Sequence, residues 1–429
     1  MASEKVDVII VGAGPSGSVA AWELAKKDLQ VIVVERGAYP GAKNVSGARL
    51  YGYILPMIFP DGEWKEAPLE RCITKEKVIF MTEKGAMAIE FYHKDFKKEP
   101  CNSYTVIRAK FDKWLASKAE EAGALVASGV NVDELVIRDG RVVGINAGGE
   151  IMEADAVILA EGALGLLAEK HGFREMPKPS EVAVGVKEVW SLSKDKINDR
   201  FNVEDGEGAV LHLAGFPSKG LRGGAFLYTM ESVISMGVIF HIDSIPEIGK
   251  ELNETIEDFR LHPYIFPLVE GGQLVEYAAK TVPEAFLLTD KFYGPGVLLT
   301  GDAAGFLFNL GFTVRGIDLA MLSGKLAAET IIELKNRNSL EPGSFALYEQ
   351  KVKNSIIWRD YKVFKNAHKY LRDPKIYSEY PDLAVRLAKR IFEYDGTRAE
   401  TIYQAIRREL SFIKLLKLGL NGLKGVKSI

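Results

Sequence analysis

The stretch KVDVIIVGAGPSGSVAAWELAKKDLQVIVVER, residues 5–36, leaves the chain little freedom in how it starts to fold. An apolar run ends in Gly12-Ala13-Gly14, a helix-forming segment follows, and a second apolar run closes on Glu35. That order reads as strand, turn, helix and strand, a βαβ unit. Gly12 makes the tight turn, Gly14 lets the backbone approach a pyrophosphate, and Gly17 lets the helix pack close to the strand. The phosphates then meet a helix N-terminus, where unpaired N–H groups and the helix dipole favour negative charge. Glu35 is placed to accept hydrogen bonds from an adenosine ribose. A dinucleotide is therefore expected on Gly12, Gly14, Pro15, Ser16, Gly17, Glu35 and Arg36.

Three later segments bear on which dinucleotide it is. ADAVILAEGALG (154–165) is an apolar strand ending in Ala160-Glu161-Gly162, and GPGVLLTGDAAG (294–305) is another ending in Gly301-Asp302. TVIRAKFDKWLASKAEEAGALV (105–126) is a strand running into a helix with Arg108 at the junction. With the first unit, these resemble the FAD-dependent family that includes aromatic hydroxylases, geranylgeranyl reductases and electron-transfer-flavoprotein:quinone oxidoreductases. The resemblance implies FAD, with the Asp302 carboxylate on the ribityl chain and Arg108 on the phosphates or ribityl oxygens. Arginine suits that place because its planar fork stays charged and grips two oxygens together. Ala160, Glu161, Gly162 and Gly301 join the expected contact set. Each key side chain also has a plainer reading: Asp302 can cap the helix that follows, and Arg108 can pair with Asp112 one turn on. No second Gly-rich βαβ unit supplies a nicotinamide domain, and no Cys-x-x-Cys pair serves a flavin disulfide reductase.

Three further motifs narrow the branch: GAKNVSG (41–47), GGAFLYT (223–229) and GFTVRGIDLAMLSG (311–324). They are similar to those of FixC-type flavoproteins, and the resemblance runs from Val6 to about Ala328. It implies an oxidoreductase that takes electrons from an electron-transfer flavoprotein and passes them to a membrane quinone. By the same resemblance Lys43, Asn44 and Val45 belong to a loop near the flavin ring, whose plainer reading is a solvated turn, and Gly311 and Thr313 add cofactor contacts. A helix over 316–332 would aim its N–H groups at the flavin pyrimidine. Arg315 has two readings, an anionic flavin or Asp318 on the next turn. Electron transfer into flavin needs no triad or metal-bound water, so no catalytic side chain is assigned and no metal is expected. The alternative within the family is a prenyl double-bond reductase, which encloses a long lipid chain.

Recognised quinone oxidoreductases carry a ferredoxin-like extension with cysteine-ligated iron and sulfur. This chain has two cysteines, Cys72 and Cys101, too few for such a cluster. The resemblance therefore implies a separate small ferredoxin-like iron–sulfur subunit as a partner. A net charge of −3 offers no attraction for phosphate backbones, which sets nucleic acid aside. The start Met-Ala-Ser-Glu-Lys lacks the order of a secretory signal, and even FLYTMESVISMGVIF is broken by Glu231. The expected location is cytoplasmic and peripheral on the membrane. The tail LSFIKLLKLGLNGLKGVKSI, with Lys414, Lys417, Asn421 and Lys424 on one stripe, is expected on a membrane surface or against protein.

The expected fold is α/β: a discontinuous Rossmann-like FAD-binding domain, an antiparallel-sheet quinone or substrate domain, and a helical C-terminal region. The first comprises 1–75, 101–170 and 284–335, the second 76–100 and 171–283, and the third 336–429. Glu83-Lys84-Gly85 signals a hairpin, alternating runs between 181 and 282 signal strands, and 247–260 a helix on their sheet. A quinone pocket is expected at the domain boundary. Residues 344–371 read as a pair of amphipathic helices.

Overall fold

In the computed structural model the described residues are 5–44, 47–283, 288–289, 291–397 and 400–429, with backbone alone at 412–417. Val6–Val11 lies at the centre of a largely parallel sheet, paired to Val31–Glu35 on one side and Glu150–Leu159 on the other. Leu125–Ser128 extends the first side and Val297–Leu299 the second. Val8, Ile9 and Ile10 have no exposure at all, the reason this strand reads as an unbroken apolar run. The chain leaves the central strand in one direction and later returns on its other side. A crevice opens at such a reversal, beyond the carboxyl ends of the strands. Gly12, Ala160 and Thr300 all sit at those ends.

A second sheet of nine strands runs in the order Gln273–Pro283, Val182–Ser191, Val233–His241, Gly223–Thr229, Glu207–Gly215, Leu69–Thr82, Ser103–Val106, Ala48–Tyr51, with Gly85–Tyr92 beside Leu69–Thr82. Every pairing in it is antiparallel except Glu207–Gly215 with Leu69–Thr82. The hairpin turns at Glu83-Lys84, and the four alternating runs of 181–282 are all strands. Ala48–Tyr51 and Ser103–Val106 come from segments expected to build the first domain, yet they pair into this sheet and so tie the two layers together. The helix expected at 247–260 is Leu252–Leu261, preceded by a separate 3₁₀ turn, Ile242–Glu247, which contains Pro246.

Helix Ile317–Asn336 packs lengthwise on Pro15–Ala25 beneath the first sheet. The approach is so close that a Cβ at Gly324 would run into the Ser16 carbonyl oxygen. Residues 344–371 form three short helices rather than two: Ala346–Lys353, Ile356–Phe364 and Ala367–Leu371. Ser355 stops the first and caps the second by accepting from the Ile357 N–H, and Asn366 precedes the third. Trp358, Tyr361 and Phe364 pack on the main core. Cys72 and Cys101 are joined as a disulfide. Among the described residues no helix is long and apolar enough to cross a membrane.

Candidate functional site

A cavity of about 740 Å³ runs from Glu35 and Arg36, past the Gly-rich turn, to the facing wall of the second sheet. The Gly12 carbonyl lies where a Cβ on Gly17 would fall, and Gly12 itself holds a φ of +103°. Neither position admits a side chain, and the helix is thereby seated against the strand. A Cβ on Gly14 would meet nothing within 4 Å, so the turn presents bare backbone to the cavity. No side chain caps helix Pro15–Ala25 and no acid occupies its first turn. Ser16 Oγ lines the cavity, is buried, and has no hydrogen-bond partner among the described residues. A phosphate oxygen would satisfy both the hydroxyl and the free N–H groups. Glu35 accepts from Ala13 N at 2.9 Å and Gly37 N at 2.6 Å, which braces the turn and leaves a lone pair on each oxygen for a ribose.

Glu161 lines the wall and its carboxylate accepts from the N–H groups of Leu167 and Ala168 at 2.8 and 3.0 Å. Burial pushes its carboxyl up, against the pull of those two donors. Asp302 also faces the cavity. Its carboxylate caps neither the short turn Gly301–Ala304 nor helix Ile317–Asn336, so the capping reading fails, although Gly316 at the helix start stands beside it. Burial raises its pKa, opposed by the positive charges of Arg108, Lys280 and Arg174. A half-buried carboxylate that faces a cavity and accepts no side-chain or backbone hydrogen bond among the described residues fits a row of ligand hydroxyls.

Arg108 pairs with Asp112, Nε to Oδ1 at 2.9 Å and Nη2 to Oδ2 at 2.8 Å. It still lines the cavity, so the ion pair and the cofactor contact are compatible. Asp112 has no exposure and also accepts from Asn44 Nδ2 at 2.7 Å, while Asn44 Oδ1 accepts from Lys280 Nζ at 2.9 Å. Lys280 and Asp112 had no sequence signal as site residues. Their link through Asn44 fixes the 41–44 loop between the two layers.

The opposite wall is the second sheet: Gly185, Lys187, Phe226, Tyr228, Ile239 and Lys280, with Arg49 beside them. Lys187 stood in the apolar alternation AVGVKEVW, where a charged residue on the inward face was the one available hint. Arg49 makes a double contact with the Glu76 carboxylate and lies over the Tyr51 ring. Behind Tyr228, His212 is buried without a partner for Nε2 among the described residues, and burial pushes its pKa down to about 4. The cavity brings together Gly12, Gly14, Pro15, Ser16, Glu35, Arg36, Lys43, Asn44, Arg108, Ala160, Glu161, Gly162, Gly301 and Asp302. Gly17 lies behind it as a packing residue. Gly311 and Thr313 are off its wall, because Gly311 sits near Leu371 and the Thr313 hydroxyl bonds that of Tyr51. Val45 lies outside the described residues. Arg315 points away from the cavity: it bonds Asp318 and Asp360, both at 2.7 Å, and the Tyr53 hydroxyl at 3.0 Å. Of its two readings, the ion pair is the one present. Among the described residues no group of three His, Cys, Asp or Glu could hold a metal ion.

Comparison with known proteins adds three family matches. Residues 7–91 match the FAD dependent oxidoreductase family, 182–282 the ETF-QO ubiquinone-binding domain, and 367–429 the ETF-QO/FixC family C-terminal domain. The chain is 44% identical over 426 residues to Protein FixC of Escherichia coli K12, covering 98% of this chain and 99% of that one. It is 41% identical over 430 residues to the probable electron transfer flavoprotein-quinone oxidoreductase YdiS of the same organism, spanning both chains entirely. A geranylgeranyl bacteriochlorophyll reductase-like protein from Thermoplasma acidophilum shares the fold with a TM-score of 0.70 at 22% identity, covering 97% of this chain and 99% of its own. The myxobacterial halogenase CndH does so at 0.67 and 18%, covering 99% and 91%. At those identities the likeness is one of fold.

Proposed function

The chain belongs to the ETF-QO/FixC family of FAD-dependent oxidoreductases, and on that footing we propose that it accepts electrons from an electron-transfer flavoprotein and delivers them to a membrane quinone. Bound FAD supplies the redox chemistry, taking up electrons and handing them on. Ser16 and the free N–H groups of helix Pro15–Ala25 would hold the phosphates, Glu35 the ribose, and Asp302 with Arg108 the ribityl chain. The observation that carries the reading is the continuity of the cavity. One volume joins the Gly-rich turn to strands Val182–Ser191, Gly223–Thr229 and Gln273–Pro283, which lie almost wholly within the segment matching the ubiquinone-binding domain. A quinone headgroup on that wall would stand in the same cavity as the cofactor.

Two partners complete the proposal. A separate ferredoxin-like subunit would bring the cluster, since this chain's two cysteines are bound to each other. The membrane surface would take helix Phe412–Ser428. That helix turns Asn421 and Gly425 toward the body, with Asn421 Nδ2 donating to the Tyr380 hydroxyl at 2.9 Å and Gly425 against Tyr370. Leu420, Leu423 and Val426 face outward at 54%, 59% and 79% exposure, the reverse of an ordinary docked amphipathic helix. An apolar face left to solvent beside Lys424 and Lys427 suits an anionic lipid surface.

Stopped-flow mixing of the purified protein with reduced electron-transfer flavoprotein tests the reading. The flavin absorbance of this chain should bleach rapidly and recover on adding a short-chain quinone. A flavin that neither bleaches nor recovers rules the function out; hydrogenation of an added prenyl lipid would replace it with prenyl reduction.

A further inference from the structure

The proposed reduction of a quinone requires protons as well as electrons. Lys187 is 2% exposed, and its ammonium group is buried without a hydrogen-bond partner among the described residues, yet it lines the cavity. Its cross-strand neighbours are Gly237 on one side and Ala278 on the other, and Gly185 shares its face two residues back. None of the three is large enough to cover it. Phe226, the next residue out in the same row, and Tyr228 flank the space it looks into. A buried cation without a partner is costly, and an acceptor oxygen entering the cavity would provide one.

We propose that Lys187 binds a carbonyl oxygen of the quinone in the sheet-lined part of the cavity and protonates it as the quinone is reduced. The proposal rests on the quinone-reductase reading above. The quinone gains two electrons, which reduced FAD supplies, and two protons. Lys187 gives one proton: an N–H bond breaks, an O–H bond forms, and the ammonium becomes an amine. A proton relayed through water from bulk solvent goes to the other oxygen, and a second solvent proton recharges the amine, so the two protons gained by the quinone come in net from solvent.

The surroundings leave Lys187 able to exchange that proton near neutrality. Burial pushes it down to about 7, with Glu276 of Gln273–Pro283 as the opposing charge. Lys280 on that strand is engaged with Asn44, and Arg49 of Ala48–Tyr51 is tied to Glu76. Tyr228 of Gly223–Thr229 is pushed up to about 12 and His212 of Glu207–Gly215 down to about 4, so both stay neutral around pH 7. Asp302 faces the cavity from the first layer and is countered by Arg108, Lys280 and Arg174. A proton donor works best when its own pKa lies near the working pH, and among these groups Lys187 meets that condition.

Calorimetric titration of the FAD-loaded protein with decylubiquinone, in buffers of different ionisation heat, tests the assignment without turnover. Wild type should take up protons on binding at about pH 8, where the free amine prevails, and almost none at about pH 6. Lys187→Met matches the stem in volume and removes a buried charge, so it should fold and keep its flavin. It should show no uptake at either pH and bind about tenfold more weakly at about pH 6, the weight of one hydrogen bond from a charged donor. Lys187→Arg stays charged and should bind without uptake at both pH values. Wild type binding with no uptake, or Lys187→Met matching wild type in affinity and uptake, overturns the role of Lys187 and leaves the quinone reading standing. Failure of decylubiquinone to bind wild type at any pH overturns the quinone reading and this proposal together.

Discussion

Asn44 and Asp112 lie 68 positions apart in the chain and 2.7 Å apart in space, the amide nitrogen donating to a carboxylate that also holds Arg108. One buried carboxylate thus sets the cavity-lining arginine and the 41–44 loop together, and through Asn44 it reaches Lys280 on the opposite layer. Replacing Asp112 with Ala strands these partners at once. Removing one member of a buried pair costs about 3–5 kcal/mol, so the variant should purify with little flavin. Asn44→Ala, which loses hydrogen bonds between polar groups but leaves the Arg108 pair, should keep its fold and bind FAD several-fold more weakly. Flavin-to-protein ratios read both; full occupancy in Asp112→Ala would detach this network from the cofactor.

Asp302→Ala should lower FAD affinity by roughly 1–3 kcal/mol, because an acceptor for buried ligand hydroxyls is lost. Arg108, Lys280 and Arg174 would also lose the charge that faces them. Fluorescence titration of apoprotein with FAD measures the change, and unchanged affinity would remove Asp302 from the site.

Gly324→Val should prevent folding, or yield protein without flavin. Its side chain has nowhere to go but the Ser16 backbone, and Ser16 belongs to the helix start that lines the cavity. Soluble expression and flavin content decide this; a well-folded, flavin-replete variant would mean that the two helices can separate at no cost.

Acid should weaken the fold through His212. The unfolded chain takes up its proton near pH 6.5, whereas the buried ring, with a pKa of about 4, stays neutral. The stability that depends on a neutral ring is therefore present above about pH 6.5 and is lost progressively as the pH falls to about 4, by on the order of 3 kcal/mol. Urea midpoints across that range should fall less steeply in His212→Leu than in wild type. Parallel slopes would show that another group governs the acid limb.

Truncation after Ser411 should abolish salt-sensitive sedimentation with anionic liposomes and leave the flavin spectrum intact, since the deleted helix lies far along the chain from the cavity residues. Equal liposome binding by the truncated and full chains would place the membrane contact elsewhere.

The parallel sheet, the Gly-rich turn and the strands of 181–282 were legible in the sequence because each is written in short-range spacing. Glycines two and three positions apart shape a turn, unbroken apolar runs make buried parallel strands, and alternation makes strands with two unlike faces. The tertiary structure alone decided which charges meet. Arg315 could be read toward the flavin or toward Asp318, and Asp360, 45 positions on, drew it to the ion pair and away from the cavity. Ala48–Tyr51 looked like part of the first layer until it paired with Ser103–Val106 in the second. Lys280 reaches Asn44 across 236 positions, and Lys187, without a hydrogen-bond partner among the described residues, is flanked by small neighbours on two other strands. Such juxtapositions depend on how whole layers stack, and no spacing within a segment encodes them.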